Sequence, residues 1–251
     1  MSSAEFISAS EVTLVRGEPI PQSESYERSV AECWQQALER NPTLFNGPLV
    51  SPLQVSVSDG VCTLWWYHSD FAHYSFTRQN RELPATASVG TVFVSLAVPT
   101  SDGGLAVGRM SDHTSAPGVV QLPGGGLSIG PEQRVISDRD LRATAVEEVS
   151  EELGIILNPA NLQIHGVIKR HSPPDVGVVF TTEARPWGDV LEAFAALQAR
   201  EREAGAASEF AELLAVSPSG DLPYARSGRG HMIDYLPAVI DAFFKTRGGV
   251  T

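Results

Sequence analysis

Three glutamates in one short segment are the residues of this chain best placed to do chemistry. On a helix that turns about 100° per residue, Glu148, Glu151 and Glu152 lie at i, i+3 and i+4 and share one face. The opposite arc carries the apolar residues Ala145, Val146, Val149 and Leu153. Like charges at this spacing destabilise a helix, so something must compensate the repulsion. Carboxylate oxygens are hard ligands that suit Mg²⁺ or Mn²⁺, although a solvated acidic helix face is the alternative.

The segments on either side of these glutamates restrict the alternatives. A strand-like segment that begins at Val119 ends in Leu122-Pro-Gly-Gly-Gly126, and Gly154 follows the predicted helix directly. A glycine after the last helical residue is typical of a helix end. The glycine run is not a P-loop, because no Gly-Lys-Ser/Thr follows it. The acidic helix is thus preceded by a glycine-rich turn and followed by a glycine.

The segment Glu148–Ile155 resembles the signature of the Nudix hydrolases, G-x5-E-x7-R-E-U-x-E-E-x-G-U, in which U is aliphatic. The last eight positions of that signature all match. The resemblance implies an α/β (α+β) fold, an α/β/α sandwich with a mixed sheet. It further implies that Glu148, Glu151 and Glu152 bind Mg²⁺ or Mn²⁺, that Glu152 is catalytic, and that Gly124 and Gly125 contribute to substrate binding.

The match to the signature has two departures. Glu147 stands where the family has an arginine that orients a glutamate of the helix, and Arg139 and Arg142 are the candidates to replace it. The stretch between Gly125 and Glu147 also has several extra residues. The earlier glutamate of the signature falls on Arg139, and Glu132 takes its place only across an insertion.

Other features resemble the UDP-sugar diphosphatase branch of the family. They are an added N-terminal region that ends near Pro84, the stretch Asn41–Gly47, the lengthened loop after the glycine turn, and Gly166–Ser172. This resemblance implies a nucleoside diphosphate sugar diphosphatase that converts a UDP-sugar such as UDP-glucose to UMP and a sugar 1-phosphate. Two alternatives stay open: hydrolysis of ADP-ribose or another diphosphate compound, and a non-catalytic ligand-binding module.

Further site candidates lie outside the acidic helix. Glu209 and Glu212 precede or begin a predicted strand where relatives of this family supply a catalytic glutamate, and we favour Glu209 as general base. Lys169 and Arg170 end another predicted strand and are expected to bind phosphate oxygens. The following residues form an aromatic and polar cluster that either contacts substrate or packs a small core: Tyr67, His68, Phe71, His73, Tyr74 and Arg78. The glycine-rich stretch Ser227–His231 is either a substrate loop or an ordinary connection.

The pattern along the chain predicts an N-terminal extension over residues 1–85 and a Nudix hydrolase domain over 86–251. The extension contains a helix over Ser23–Arg40, capped by Ser25, and a hairpin of Leu49–Val57 with Val61–Tyr67. Asp70–Leu83 favours a helix. In the second part, strands are predicted at Gly90–Pro99, Leu105–Arg109, Val119–Leu122, Ile164–Lys169, Val176–Glu183 and Glu212–Val216. Helices are predicted at Asp138–Leu153, Val190–Gly205 and His231–Lys245.

Composition narrows the class of partner. The 251 residues carry a formal net charge of −12, which argues against nucleic acid and against an anionic membrane surface as partners. No window approaches the length of a membrane span. The two cysteines, Cys33 and Cys62, have no metal-type or redox-type spacing, which favours a reducing, cytoplasmic location. The expected partner is a small nucleoside diphosphate substrate, and the sequence leaves a homodimer open.

Overall fold

The protein is built from two β-sheets and the helices that cover them. The computed structural model describes residues 4–127, 129–130, 132–218 and 231–248. The strands are β1 (Ala4–Ser8), β2 (Glu11–Arg16), β3 (Pro48–Ser58), β4 (Val61–Asp70), β5 (Val92–Pro99), β6 (Leu105–Met110), β7 (Val120–Gln121), β8 (Gln163–Arg170), β9 (Val176–Thr181) and β10 (Phe210–Val216). The helices are α1 (Glu24–Arg40), α2 (Phe71–Gln79), α3 (Asp138–Leu153), α4 (Trp187–Glu203) and α5 (Leu236–Gly248).

The larger sheet has the strand order β1-β8-β9-β5-β6-β10, and β7 also pairs with β6. Strands β5 and β9 run parallel, whereas the other pairs in this sheet are antiparallel. Alternate residues of β5 point to opposite faces. Val94 and Leu96 join the core that contains α3 and α4, and Ala97 joins the core that contains α5. The predicted α+β sandwich with a mixed sheet between helices is confirmed.

The helix that carries the glutamates has well-defined ends. At its start, the Ser137 backbone N–H donates to Asp140 Oδ2 at 2.8 Å, and the two side chains form a capping box. At its end, Gly154 adopts a left-handed conformation with φ 71°. The apolar side of α3 is fully buried through Leu141, Ala145 and Val149. The opposite face lies against the glycine turn, where Glu152 accepts a hydrogen bond from Gly124.

The N-terminal region forms the smaller sheet, in which β4 lies between β2 and β3, with α1 and α2 packed together beside it. The predicted hairpin is confirmed, and α2 occupies the segment that favoured a helix. The cap of α1 is Ser23 rather than Ser25, because the backbone N–H of Tyr26 donates to Ser23 Oγ at 3.2 Å.

Several contacts join the N-terminal region to the rest of the chain. Strand β1, which the sequence did not predict, pairs antiparallel with β8 at the edge of the larger sheet. The buried hydroxyl of Ser51 donates to Gly90 O at 2.7 Å, and Val89 N–H donates to Thr77 Oγ1 at 2.8 Å. The division into 1–85 and 86–251 stays a prediction, although β1 belongs to the larger sheet.

Two further expectations concern whole segments. Among the residues described, no helix has both the length and the apolar character needed to cross a bilayer. The glycine-rich stretch Ser227–His231 lies outside the described residues except for His231, and the last helix begins at Leu236 rather than at His231.

The left-handed end of α3 gives a test of the fold. A Cβ at Gly154 would lie 2.6 Å from Ala193 O on α4, and its φ of 71° disfavours any other residue. We expect Gly154→Ala to lower the free energy of unfolding by about 1–3 kcal/mol, measured by urea denaturation. The matched control is Gly188→Ala on α4, where an added Cβ meets open space. An equal loss in both variants would contradict the role given to Gly154.

Candidate active site

Glu152 anchors the acidic face of α3 to the glycine turn. Its side chain is 2% exposed, and its Oε2 accepts a hydrogen bond of 2.7 Å from the backbone N–H of Gly124. Its Oε1 is buried and has no hydrogen-bond partner among the described residues. A buried carboxylate oxygen without a donor is costly, so this atom is expected to have a ligand that the chain itself does not provide.

The glycine turn can approach α3 closely because it has no side chains there. A Cβ at Gly124 would lie 2.1 Å from Val94 O, and one at Gly125 would lie 2.2 Å from Glu148 Oε1. The turn is held against β5 by the hydrogen bonds Val94 N to Gly125 O and Leu96 N to Pro123 O, each 2.9 Å long. A side chain at Gly124 would therefore clash with the backbone of β5, and one at Gly125 would clash with the carboxylate of Glu148.

The carboxylates of this site raise each other's pKa. Burial, followed by the charges of Glu151, Glu209 and Glu147, raises the pKa of Glu148 to about 7. Burial and the charge of Glu209 raise the pKa of Glu152 well above its ordinary value, which the hydrogen bond from Gly124 only partly offsets. The site therefore concentrates negative charge that a cation would relieve.

Glu209 is placed beside the acidic face by the strand that follows it. Its carbonyl oxygen accepts a 2.8 Å hydrogen bond from Ser111 N–H at the end of β6. The residue is exposed to solvent, but its carboxylate is partly desolvated by its neighbours. This desolvation, followed by the charge of Glu151, raises the pKa of Glu209. Glu212, the other candidate, instead forms an ion pair with Arg109 on β6.

The predicted metal ligands have the donor atoms that a divalent cation prefers, but their side chains are not arranged around a common point. Among the described residues, no three histidine, cysteine or acidic side chains converge as a ready-made metal site. Glu151 is exposed, Glu148 is partly buried and Glu152 is buried. The donors are nevertheless hard oxygens, and the unpartnered Oε1 of Glu152 lies among them. Glu148, Glu151 and Glu152 stay the predicted ligands.

Neither candidate replacement for the motif arginine supports the glutamates as expected. Arg142 forms an ion pair with Asp138, donates to Leu162 O, and lies 5.5 Å from the centre of the Phe180 ring. These contacts hold the start of α3 to the rest of the core. Arg139 is exposed in the first turn of the helix, two turns before Glu147. The expectation for Arg142 was wrong because the helix turns it toward β8 and β9.

Arg170 and Lys169 are separated by the alternation of side chains along β8. Arg170 is paired with Asp175 at 2.6 Å and with Asp234 at 3.0 Å. It lines a pocket of about 320 Å³ that also includes the glycine turn, Gly124–Gly126. Lys169 is not among the described residues that line this pocket. Binding of substrate by these residues stays a prediction, and the geometry favours Arg170.

The aromatic and polar cluster of the N-terminal region is divided between two pockets. Phe71, Tyr74 and Arg78 line the same pocket as the glycine turn. Tyr67, His68 and His73 line a different one, of about 280 Å³. His73 bridges Asp70 and Glu27 there, at 2.9 and 3.0 Å. Part of the cluster therefore belongs to the candidate site and part to the packing of α1 on α2.

Several residues at the pocket were not predicted from the sequence, among them Asp175 and Tyr235, which line it, and Asp234, which pairs with Arg170. Asp175, which is 1% exposed, accepts hydrogen bonds from Thr91 N–H at 3.0 Å and from Arg170. Asp234 pairs with Arg170, and Tyr235 lines the pocket beside it. An acidic residue at the entry to an apolar strand was a usable signal for Asp175. Asp234 and Tyr235 have no comparable spacing signal.

Comparisons with known proteins gave similarity in structure only. No family model matches the chain, and no curated protein matches it. A MutT protein from Methanosarcina mazei is 19% identical with a TM-score of 0.41, over 62% of this chain and 94% of that one. A MutT/nudix family protein from Enterococcus faecalis is 14% identical with a TM-score of 0.40, over 72% of this chain and 70% of that one. A Nudix hydrolase from M. smegmatis, RenU, is 15% identical with a TM-score of 0.35, over 64% and 87%. Similarity at this level assigns neither a family nor an activity.

The raised pKa of Glu148 predicts a pH dependence of stability. The folded protein binds this proton more tightly than the unfolded chain, so stability falls as pH rises from about 4.5 to about 7. With chelator present, we expect Glu148→Gln to be more stable than wild type by about 1–3 kcal/mol at pH 8, and nearly equal to it at pH 4.5.

Urea denaturation at the two pH values measures this difference. The matched control is Glu192→Gln, an exposed glutamate on α4. A gain for Glu148→Gln that is the same at both pH values would show that the carboxylate is not the cause.

Proposed function

We propose that this protein is a metal-dependent hydrolase of the Nudix type that cleaves a diphosphate bond. The single observation that carries the proposal is the buried Glu152, which holds the glycine turn with one oxygen and leaves the other without a partner. The eight matching positions of the signature, Glu148–Ile155, support the same assignment. Together they join a family motif to a buried carboxylate oxygen that a cation would satisfy.

The ligands of the cation would be Glu148, Glu151 and Glu152. A bound Mg²⁺ or Mn²⁺ would neutralise the charge of the diphosphate and lower the pKa of the attacking water. Burial, together with the repulsion between the carboxylates, raises the pKa of Glu148 and of Glu152, and this supports the assignment because a cation would favour their ionised forms.

Other residues of the chain would position the substrate and move the proton. Glu209 is the proposed general base, since its raised pKa brings it closer to neutrality, where a base accepts a proton most effectively. The Gly124–Gly125 turn presents backbone at the edge of the pocket without steric obstruction. Arg170 is the proposed contact for a phosphate oxygen.

The most specific form of the proposal is a UDP-sugar diphosphatase that releases UMP and a sugar 1-phosphate from a substrate such as UDP-glucose. It depends on the lengthened loop, the added N-terminal region and the replacement of the motif arginine by Glu147. Hydrolysis of ADP-ribose or another diphosphate compound is the alternative within the same chemistry. The two cysteines without a disulfide fit the proposed cytoplasmic location.

The replacement of the motif arginine by Glu147 also favours a second candidate function. A module that binds a diphosphate ligand without hydrolysing it would keep the pocket and lose the orientation of the catalytic carboxylates. The observation in favour of such a module is that Arg142 contacts Asp138 and Leu162 O rather than the glutamates.

A substrate panel tests the proposed activity. We expect wild type with Mg²⁺ to release UMP and glucose 1-phosphate from UDP-glucose, resolved by mass, with ADP-ribose as the second substrate. Glu152→Gln should lower the rate at least about a hundredfold, because it removes the charge of the ligand, while its amide oxygen can still accept the hydrogen bond from Gly124.

The matched control for this panel is again Glu192→Gln, which makes the same change of charge at a residue that does not line the pocket. Turnover by Glu152→Gln at the wild-type rate would refute the proposed role of Glu152. Absence of turnover by the wild type on every substrate, with retained binding, would favour the non-catalytic module.

A metal titration tests the ligands without relying on turnover. We expect Mg²⁺ or Mn²⁺ at about a hundred times its Kd to raise Tm by about 5–10 °C, measured by thermal shift. The increase should be largely lost in Glu152→Gln and retained in Glu192→Gln. An equal shift in both variants would place the cation elsewhere.

A further inference from the structure

Helix α2 of the N-terminal region brings aromatic rings and a positive charge to the pocket of the glycine turn. Phe71, Tyr74 and Arg78 all line it. The guanidinium carbon of Arg78 lies 5.8 Å from the centre of the Tyr74 ring, and Phe71 packs against Tyr74 with ring centres 6.2 Å apart. A ring and a cation presented together suit a ligand that has both a flat ring and negative charge.

The larger sheet contributes a second pair of rings to the same pocket. Phe93 on β5 and Tyr235 lie with ring centres 5.5 Å apart and planes at 33°. Phe93 can pack over β9 because residue 177 is glycine, where a Cβ would lie 2.3 Å from the Phe93 ring. The pocket therefore has aromatic walls from both the N-terminal region and the sheet.

Arg170 retains donors for an anion. A guanidinium has five N–H groups. One donates to Asp175 from Nη1, and two donate to Asp234 from Nε and Nη2. These bonds fix the side chain at the pocket wall and leave two N–H groups that they do not use. Asp175 is itself held by Thr91 N–H, so the orientation of Arg170 is set by buried contacts.

The pocket has two arginines, Arg78 and Arg170, in a molecule whose formal net charge is −12, and Asp175 and Asp234 neutralise part of the charge of Arg170. Arg78 and Arg170 both lie near Asp175, and their charges lower its pKa against the stronger raising effect of burial. The volume of about 320 Å³ is at the lower end of the range for small-molecule sites, roughly 300–1,000 Å³, and favours one nucleotide unit.

We infer that α2 determines substrate choice by binding the nucleoside monophosphate half of the substrate, with Tyr74 against the base and Arg78 and Arg170 against phosphate. The inference rests on the proposed function for the reaction that the substrate undergoes. The binding of the nucleotide by α2 does not depend on that reaction. Tyr74 and Arg78 are specificity-determining residues, and Asp175 is a positioning residue that acts through Arg170.

Calorimetric titration with chelator present tests binding apart from turnover. The probes are UMP, AMP, uridine, which lacks the phosphate, and ribose 5-phosphate, which lacks the base. We expect Tyr74→Ala to weaken UMP or AMP about tenfold or more and to leave ribose 5-phosphate within about twofold. Arg78→Gln should weaken ribose 5-phosphate and the nucleotide about tenfold and leave uridine within about twofold.

The matched control is Arg28→Gln, an exposed arginine on α1 of the same region, which should bind every probe as wild type does. Tyr74→Phe should restore nucleotide binding, because it keeps the ring. Arg78 is exposed, so its substitution keeps the inference testable if Tyr74→Ala fails to fold.

Two outcomes would overturn the inference. One is unchanged nucleotide affinity in both Tyr74→Ala and Arg78→Gln. The other is equal weakening of all probes by Arg28→Gln and Arg78→Gln. If wild type hydrolyses no diphosphate but still binds UMP or AMP through Tyr74 and Arg78, the proposed activity fails while the inference on α2 stands. If it hydrolyses UDP-glucose and the α2 variants keep the wild-type KM, the activity stands and the inference fails.

Discussion

The carboxylate of Glu152 and the backbone N–H of Gly124 form the contact on which the other parts of the site depend. This hydrogen bond joins the acidic face of α3 to the turn after β7, where Gly125 leaves room for the carboxylate of Glu148 and Gly124 leaves room for the backbone of β5. It also commits one oxygen of a buried carboxylate to structure, which leaves the other for a ligand. Stability and chemistry compete at this point, because burial raises the pKa of the group that the proposed reaction needs ionised.

The rest of the fold keeps this contact in place. Helix α3 is fixed at its start by a capping box and by the contacts of Arg142, and at its end by the left-handed Gly154. The glycine turn is fixed by hydrogen bonds to β5. Strand β5 lies between β9 and β6. Strand β8, which carries Arg170, pairs with β9, and β10, which follows Glu209, pairs with β6. Both strands are therefore positioned relative to β5. The carboxylates, the proposed base and the arginine are thus positioned through one sheet.

Much of this arrangement was predictable from local sequence. The spacing of Ala145, Val149 and the glutamates fixes which face of α3 is buried, and Asp59-Gly60 marks the hairpin of the smaller sheet. What local patterns could not give was long-range pairing. The pairing of Ala4–Ser8 with β8 has no signal in a five-residue strand, and the Arg170 contact to Asp234 joins residues 64 positions apart. Arg142 was one of two candidates to orient the glutamates, but its hydrogen bond to Leu162 O, 20 residues along the chain, directs it elsewhere.

Strand β1 gives Ala4–Ser8 a structural part in the larger sheet, away from the acidic helix. In its register with β8, Ala4 lies opposite Arg170 and Ser8 lies opposite Gly166. A Cβ at Gly166 would meet the Phe6 ring at 2.3 Å, so the two strands are also fitted to each other in shape. Shortening the chain by these few residues, or fusing a bulky tag directly to them, would free the edge of β8 for pairing with other molecules. Such a truncation or fusion would promote self-association and would also loosen Arg170, which lies opposite Ala4. Neither change would replace a carboxylate of the site.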